Sequence, residues 1–454
     1  MLMFVAGIFY FMASSTDTLT VPPDPHSGGE GTVFNQSRDA FAKPANNLAT
    51  PKLRDFTFGN KMFNTNWVQA PASVTTLDGL GPTFNRVSCS GCHFKDGRGR
   101  PPLHPDEPMN SMLLRVSVSG MAEDGGPKPH PAYGLQLNNL SITGVSAEGR
   151  ATIYYDEMPG TYADGTPYSL RKPRYVFSEM NFGPMDDGVL FSPRVAPPMH
   201  GLGLLEAIPE KTILSFADPD DKDGDGISGR PNMVPNENGK RVVGRFGWKA
   251  NVATLRLQDA AAAQGDIGIT TSLHPEQNCP EPQTACKAAV SGGEPEMSDE
   301  QLRKLVFYSQ TLAVPARRHI DDLDVKHGAE LFKTTQCAVC HRTNMKTGTH
   351  EVPELSNQRI QPYTDLLLHD MGDQLADHRP DYQANGNEWR TPPLWGIGLV
   401  YTVNGHTNFM HDGRARNLEE AILWHGGEAE KAKQMFLAMP KQDRAALLKF
   451  LDSL

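Results

Sequence analysis

The sequence predicts a mainly α-helical chain of two cytochrome c-like haem domains, the first enlarged by irregular and partly β-stranded insertions. Three observations carry that reading. The pattern C-x-x-C-H occurs twice, as Cys89-Ser-Gly-Cys92-His93 and Cys337-Ala-Val-Cys340-His341. Each copy follows a Gly-x-x-x-Phe segment, Gly59 to Phe63 and Gly328 to Phe332. Each precedes a Pro-Pro-x-x-Gly-x-Gly-Leu run, Pro197 to Leu204 and Pro392 to Leu399, itself preceded by Arg194 or Arg390. The same features in the same order argue for a duplicated unit.

C-x-x-C-H is the attachment signature of c-type haem. The two thiols add across the vinyl groups, and the adjacent histidine sits under the iron. A redox dithiol or half of a zinc site is the alternative. Structural zinc wants four ligands close together, and each motif stands alone in the sequence. Cys89, Cys92, Cys337 and Cys340 are therefore expected to hold two covalent haem c groups, with His93 and His341 as proximal iron ligands.

The chain has 454 residues, enough for two or three domains. Its 42 Gly, 36 Pro and 38% hydrophobic content suit a loop-rich globular protein. With a formal net charge of −10 nothing looks like a basic nucleic-acid surface. An acidic surface could favour a basic electron-transfer partner, with a plain solvated surface as the simpler reading. The expected partners are a small redox substrate and a small cytochrome or other electron-transfer protein. Leu2 to Ala13 is an apolar run, too short to span a bilayer, which takes ~20 residues. Followed by Ala13-Ser14-Ser15, it reads as the core of a signal peptide over 1–15, although the usual basic lead-in is missing. A peripheral lipid anchor is the alternative. Cys279 and Cys286 remain once the haem motifs take their four cysteines, and a local disulfide is expected between them. Haem c and a disulfide together point to the periplasm.

Residues 16–35, rich in Pro, Gly and Ser, read as a linker. The first haem domain is placed at 36–318 and the second at 319–454. Leu113 to Val118 and Ala151 to Tyr155 look β-like within the insertions. Ser298-Asp-Glu-Gln301 opens a helix as a capping box, with Leu302, Leu305, Val306 and Leu312 on one face and a stop at Pro315. The helix with Val325, Leu331 and Phe332 leads into the second motif. Asn417-Leu-Glu-Glu420 opens a helix ended by Gly426-Gly427, and two short helices follow over 428–439 and 441–453.

An electron-carrying haem needs a second axial ligand, whereas one that binds peroxide needs an open or displaceable position. For the second haem the candidates are Met410, His411, His425, Met435 and Met439. For the first they are His104, Met109, His130, His200 and Glu206. Peroxide cleavage needs a distal base and a group that stabilises the departing oxygen. His104, on a Pro-framed loop, and His200 are the candidate distal ligands or bases. Glu206, after an apolar run, is a candidate acid/base with a raised pKa. Asp221-Lys-Asp223-Gly-Asp225-Gly226 is a D-x-D-x-D-G loop that can aim three oxygens at a calcium ion. Asn232 stands where an EF-hand has its bidentate Glu, so the loop is not an EF-hand. Trp248 is the expected aromatic between the haems.

Arg390-Thr-Pro-Pro-Leu-Trp395, Phe409-Met-His-Asp-Gly-Arg414 and Asn417-Leu-Glu-Glu-Ala421 are similar to stretches of bacterial di-haem cytochrome c peroxidases. Counted from the Leu-Glu-Glu-Ala helix, His425 falls where that family has its axial Met. The resemblance thus implies His341/His425 ligation, His411 as a pocket residue and Arg414 as a propionate partner. Exchanging Met for His lowers a haem potential, which departs from a high-potential electron store. Cys89 to Gly99, Gly201 to Glu206, Asp223 to Gly229, Gly244 to Ala250, Pro362 to Asp370 and His411 to Ala415 resemble the di-haem oxidoreductase family over nearly the whole chain. That resemblance implies a periplasmic peroxidase-type oxidoreductase, with the first haem catalytic and the second relaying electrons. A pure electron carrier with both irons six-coordinate is the alternative. Thiol oxidation, the family's other label, has no spare C-x-x-C to carry it.

Overall fold

The computed structural model describes residues 24–186 and 188–454; the expected signal peptide lies outside them. Helix makes up 28% and strand 18%, in small sheets without a barrel among the described residues. The strand share exceeds that of a mainly α chain, and most of it comes from the insertions in the first half.

Helix α1, Leu53–Asn64, buries Phe56, Gly59, Met62 and Phe63 on one face. Strands β1 (Met112–Met121), β2 (Arg150–Thr161), β3 (Pro167–Ser178) and β4 (Val189–Val195) follow. The antiparallel pair β1–β4 runs in register from Met112 opposite Val195 to Val118 opposite Val189. β2 and β3 form a long hairpin, far beyond the five residues that the sequence suggested. Next come α2 (Leu202–Glu206), α3 (Leu255–Ala262) and α4 (Asp299–Thr311), the last opened by the Ser298/Gln301 capping box. Such a cap is worth about 1 kcal/mol. Helix α5 (Leu323–Thr334) leads to the second motif. The short pair β5 (Leu368–Asp370) and β6 (Glu388–Arg390) sets His369 opposite Trp389. Helices α6 (Leu418–Leu423), α7 (Glu430–Ala438) and α8 (Lys441–Ser453) finish the chain.

The duplication is visible in packing. α1 crosses α4 at Gly59, where a Cβ would collide with Lys304 O and the Tyr308 side chain. α5 crosses α8 at Gly328, where a Cβ would collide with Ala446 O. Only a residue without a side chain lets each pair of backbones approach so closely. The Gly of each Gly-x-x-x-Phe segment therefore sets a helix crossing, and its Phe packs behind the motif that follows.

The two cores cross the 318/319 boundary. One gathers Met112, Val116, Ile153 and Val195 around Phe332, Leu423, Phe436 and Phe450. The other gathers Met345, Leu355, Ile360 and Trp395 around Phe63, Leu204, Leu255 and Leu305. Residues 24–35 are packed rather than loose: Ser27 and Thr32 are buried, Val33 N–H donates to Val314 O, and Gln361 N–H donates to Ser27 O. The β2–β3 hairpin reaches across to the second half. Tyr162 Oη–H donates to Glu419 Oε1 at 2.6 Å, Arg171 donates to the carbonyls of Gly413 and Arg414, and Arg444 pairs with Asp164 at 2.8 Å.

Candidate functional site

A continuous cavity of about 760 Å³ runs from Cys89, Cys92 and His93 to Cys337, Cys340 and His341. Both histidines are held the same way. His93 Nδ1–H donates to Pro197 O at 2.8 Å, and His341 Nδ1–H donates to Tyr363 O at 2.8 Å. That bond fixes the tautomer and leaves each Nε2 lone pair for a ligand. Burial holds both imidazoles neutral, His341 down to about 4. All four thiols are free of disulfides, and burial pushes them up, Cys92 to about 12. Reactive or zinc-binding cysteines need the opposite shift. Neutral, buried thiols flanking an oriented imidazole fit covalent haem attachment better than thiol redox chemistry.

His425 lies in the cavity wall at the second motif. Its Nδ1–H donates to Ala421 O at 2.7 Å, again leaving Nε2 free, and its charge weighs on His341. The segment that follows is clasped. Glu428 accepts from Ser228 N–H and Oγ–H at 3.0 and 2.9 Å and pairs with His369 Nδ1 at 2.7 Å. His369 Nε2 pairs with Asp365 at 2.9 Å. Burial opposes charge on His369, yet Cys340 and Asp365 carry its pKa well above the usual value.

A structural repeat brings a counterpart of this wall to the first motif. Phe246 bridges Val252 and then Thr254 caps α3; Phe409 bridges Ala415 and then Asn417 caps α6. The shift in numbering is constant at 163 (409 − 246 and 415 − 252). At that shift, Ala421, Ile422 and His425 on the cavity wall correspond to Gln258, Asp259 and Ala262, which line it as well. An alanine therefore stands where the second half presents His425.

The remaining expected residues fall as follows. His104 is exposed on its loop and does not line the cavity. Met109 and His130 are buried away from it; His130 Nδ1 accepts from Ala132 N–H at 3.0 Å. His200 lines the cavity, stacked on Phe41 at 4.2 Å, with Nε2–H donating to Trp395 O at 3.0 Å. Burial brings it down to about 4. It packs on Gly396, while Trp395 packs on Gly201, so the two copies of the Pro-Pro run interlock reciprocally. Glu206 is not in the cavity wall. Its carboxylate accepts from Leu255 N–H at 2.7 Å, from Gln310 at 2.8 Å and from His350 at 3.2 Å. Burial raises its pKa, but these donors outweigh burial and hold it below the ordinary carboxylate value, the reverse of the sequence expectation. Its role is to cap α3.

Arg414 is likewise turned inward, paired with Asp412 at 2.8 Å and donating to Gln374 O at 2.6 Å, and it does not line the cavity. The cationic lining comes instead from other residues, Arg98, Arg115, Arg194, Arg379 and Arg390 among them. Among the described residues, the buried Trp395 Nε1–H and Arg379 Nε–H, both on cavity-lining residues, are unpartnered. Buried donors are normally satisfied, and haem propionates are the acceptors such a set fits. Trp248 lines the cavity and donates to Val195 O at 2.9 Å; His411, its counterpart in the repeat, accepts from Val195 N–H. His411 stacks on Trp389 at 3.6 Å.

Asp221, Asp223 and Asp225 bring ligand oxygens within 4.8 Å of one another. Asn232 is buried and donates to Lys249 O and Asp381 O, so it takes no part. Cys279 and Cys286 form a disulfide. No described helix is long and apolar enough to cross a membrane. Gln258, Asp259, Ala262, Arg115 and His369 were not foreseen. Extending the duplication past the Pro-Pro run, by pairing Thr254-Leu255 with Asn417-Leu418, would have found the first three.

No curated protein matches the chain. A family model described as "Di-haem oxidoreductase, putative peroxidase" matches residues 24–454. With nearly all of the described chain inside that match, the protein belongs to the di-haem oxidoreductase family.

Proposed function

We propose that this oxidoreductase is a periplasmic di-haem c peroxidase in which the Cys89–His93 site is catalytic and the Cys337–His341 site relays electrons. The observation that carries the reading is the replacement of His425 by Ala262 at the corresponding place on the cavity wall. His93 and His341 would hold the two haem irons from one side; His425 would close the second, and Ala262 would leave the first with an open position. The haem supplies redox and Lewis-acid chemistry; the chain orients it through the His–carbonyl bonds and neutralises propionates with arginines. A small electron-transfer protein supplies reducing equivalents. The Cys279–Cys286 disulfide supports an oxidising compartment.

Electron paramagnetic resonance of the haem-loaded ferric protein tests the reading. One high-spin and one low-spin iron are expected, with the high-spin signal consumed by peroxide. Two low-spin irons, unchanged by peroxide both as isolated and after one-electron reduction, would leave a pure electron carrier. The Asp221–Asp225 loop is assigned to calcium; a chelator should lower the melting temperature, and added calcium should restore it.

A further inference from the structure

Burying a carboxyl where the repeat has an isoleucine is costly unless the group is hydrogen-bonded, paired or neutralised. Asp259 occupies the place of Ile422. It lies on α3, three residues before Ala262, and faces the cavity. Its charge weighs on the Cys89 thiol, which sets it at the first-motif end. Ser309 Oγ–H, from α4, donates to Asp259 Oδ2 at 2.9 Å. That is the one hydrogen bond to its carboxyl found among the described residues, and the residue lines the cavity. We propose that Asp259 is the distal proton-transfer residue of the Cys89–His93 site, with Ser309 holding its carboxyl and Ala262 leaving room beside it for peroxide.

This assignment rests on the open-site reading above and gives that site its base. In the reaction with hydrogen peroxide, the carboxylate Oδ1 takes the proton of the inner oxygen and delivers it to the outer one. The O–O bond breaks with its electron pair going to the outer oxygen, which leaves as water. The inner oxygen takes two electrons, drawn from a reduced electron-transfer protein through the family's haem groups, and two protons, giving the second water. Overall, H2O2 + 2 H⁺ + 2 e⁻ gives 2 H2O.

Burial brings the Asp259 carboxyl up to about 7, where both protonation states are populated at neutral pH. The charged groups around it do not neutralise it. Glu206, at the end of α2, adds to the upward shift but is itself held by His350 and Gln310. Arg245 donates to the carbonyls of Leu205 and Ile208, and Asp266 lies farther along its own segment. From α4 the neighbour is the neutral Ser309.

The test uses the full haem-loaded chain and its Asp259→Asn variant. In the wild type, the rate at which peroxide converts the high-spin iron should rise with pH through about 7. Infrared difference spectra should show a carboxylic acid titrating over the same range. D259N should slow the reaction on the order of 100-fold, flatten the profile and lose the infrared signal, while keeping the high-spin resonance. Ser309→Ala, which removes only the bond that favours the carboxylate, should move the midpoint upward with the plateau rate kept. A D259N protein with wild-type rate and profile overturns the assignment alone. A wild-type protein with both irons low-spin overturns the open-site reading and this assignment with it.

Discussion

At the first motif the Phe63 ring stands 6.1 Å from His93 at 53°; at the second, Phe332 stands 6.2 Å from His341 at 53°. Behind each Phe a glycine sets a helix crossing, and each histidine donates to a backbone carbonyl at the same length. The proximal halves of the two sites are thus nearly superimposable in construction. The opposite walls come from the same repeat yet carry Gln258, Asp259 and Ala262 at one site and Ala421, Ile422 and His425 at the other. Duplication copied the holder, and on the facing wall one helix turn carries different residues at all three cavity-lining positions. Two identical mounts with different facing walls are what a molecule needs to combine a reacting centre with a relay.

The largest expected effect comes from exchanging the walls. Ala262→His should close the first site, convert its iron to low spin and cut peroxide consumption by on the order of 100-fold or more. His425→Ala should do the reverse at the second site and add a second high-spin signal. If neither substitution changes the resonance spectrum, the pairing of α3 with α6 is wrong.

Next come the shared mounts. Gly59→Ala and Gly328→Ala would each gain about 1 kcal/mol of helix propensity. Each meets backbone at the crossing, and overpacking there should leave a net loss of about 1–3 kcal/mol, read as a lowered melting temperature. Equal losses at the two sites would strengthen the equivalence.

The clasp behind His425 has no counterpart described at the first site, so weakening it should affect one iron only. Glu428→Gln removes a charged acceptor from His369 and should cost roughly 1.5–3 kcal/mol, seen as a mixture of spin states at the second iron. The pH dependence follows from the two partners. Burial raises Glu428, but the bond from His369 carries it below its ordinary value of 4.5. Its contribution is therefore present above that value and lost as pH falls through the depressed one. Burial lowers His369, but Cys340 and Asp365 raise it in the haem-free chain; with Cys340 in a thioether, the carboxylates of Asp365 and Glu428 still favour its charged form, so its contribution is present below 6.5 and lost as pH climbs through its folded value. The clasp should hold across neutral pH, and acid titration followed by resonance should release the second site first.

The smallest effect is expected for Glu206→Gln. As the cap of α3 it should cost about 1 kcal/mol of stability and leave the midpoint of the peroxide pH profile near that set by Asp259.

Both C-x-x-C-H motifs, the Ser298 capping box, the Asn417 N-cap and the duplicated Pro-Pro runs could be read from residue types at fixed spacing, because helix capping and a repeated unit impose local patterns. Ala262 could not be read that way, since an absent ligand has no signature of its own and acquires meaning only beside His425. Glu206 misled because an acidic residue after an apolar run is equally a buried helix cap, and only the positions of Leu255, Gln310 and His350 decide between the two. Arg414 misled for a similar reason: Asp412, two residues away, takes its guanidinium. The length of the β2–β3 hairpin was hidden because its strands are largely half exposed, and the residues that anchor it, such as Gly413, Arg414 and Glu419, lie in the second half of the chain.

The crossing of the two cores has a temporal consequence. Hydrogen bonds such as Gln361 N–H to Ser27 O and the ion pair of Lys52 with Glu354 join segments more than 300 residues apart in sequence, and contacts of such long range form late. The four cysteines are half-buried along the cavity that both halves enclose, so they are more reachable before the C-terminal half arrives than after. Under the proposed thioether linkage, attachment is easiest in that interval. A chain that closed empty would narrow the approach to its thiols, so the interleaving of its halves favours attachment first and closure after.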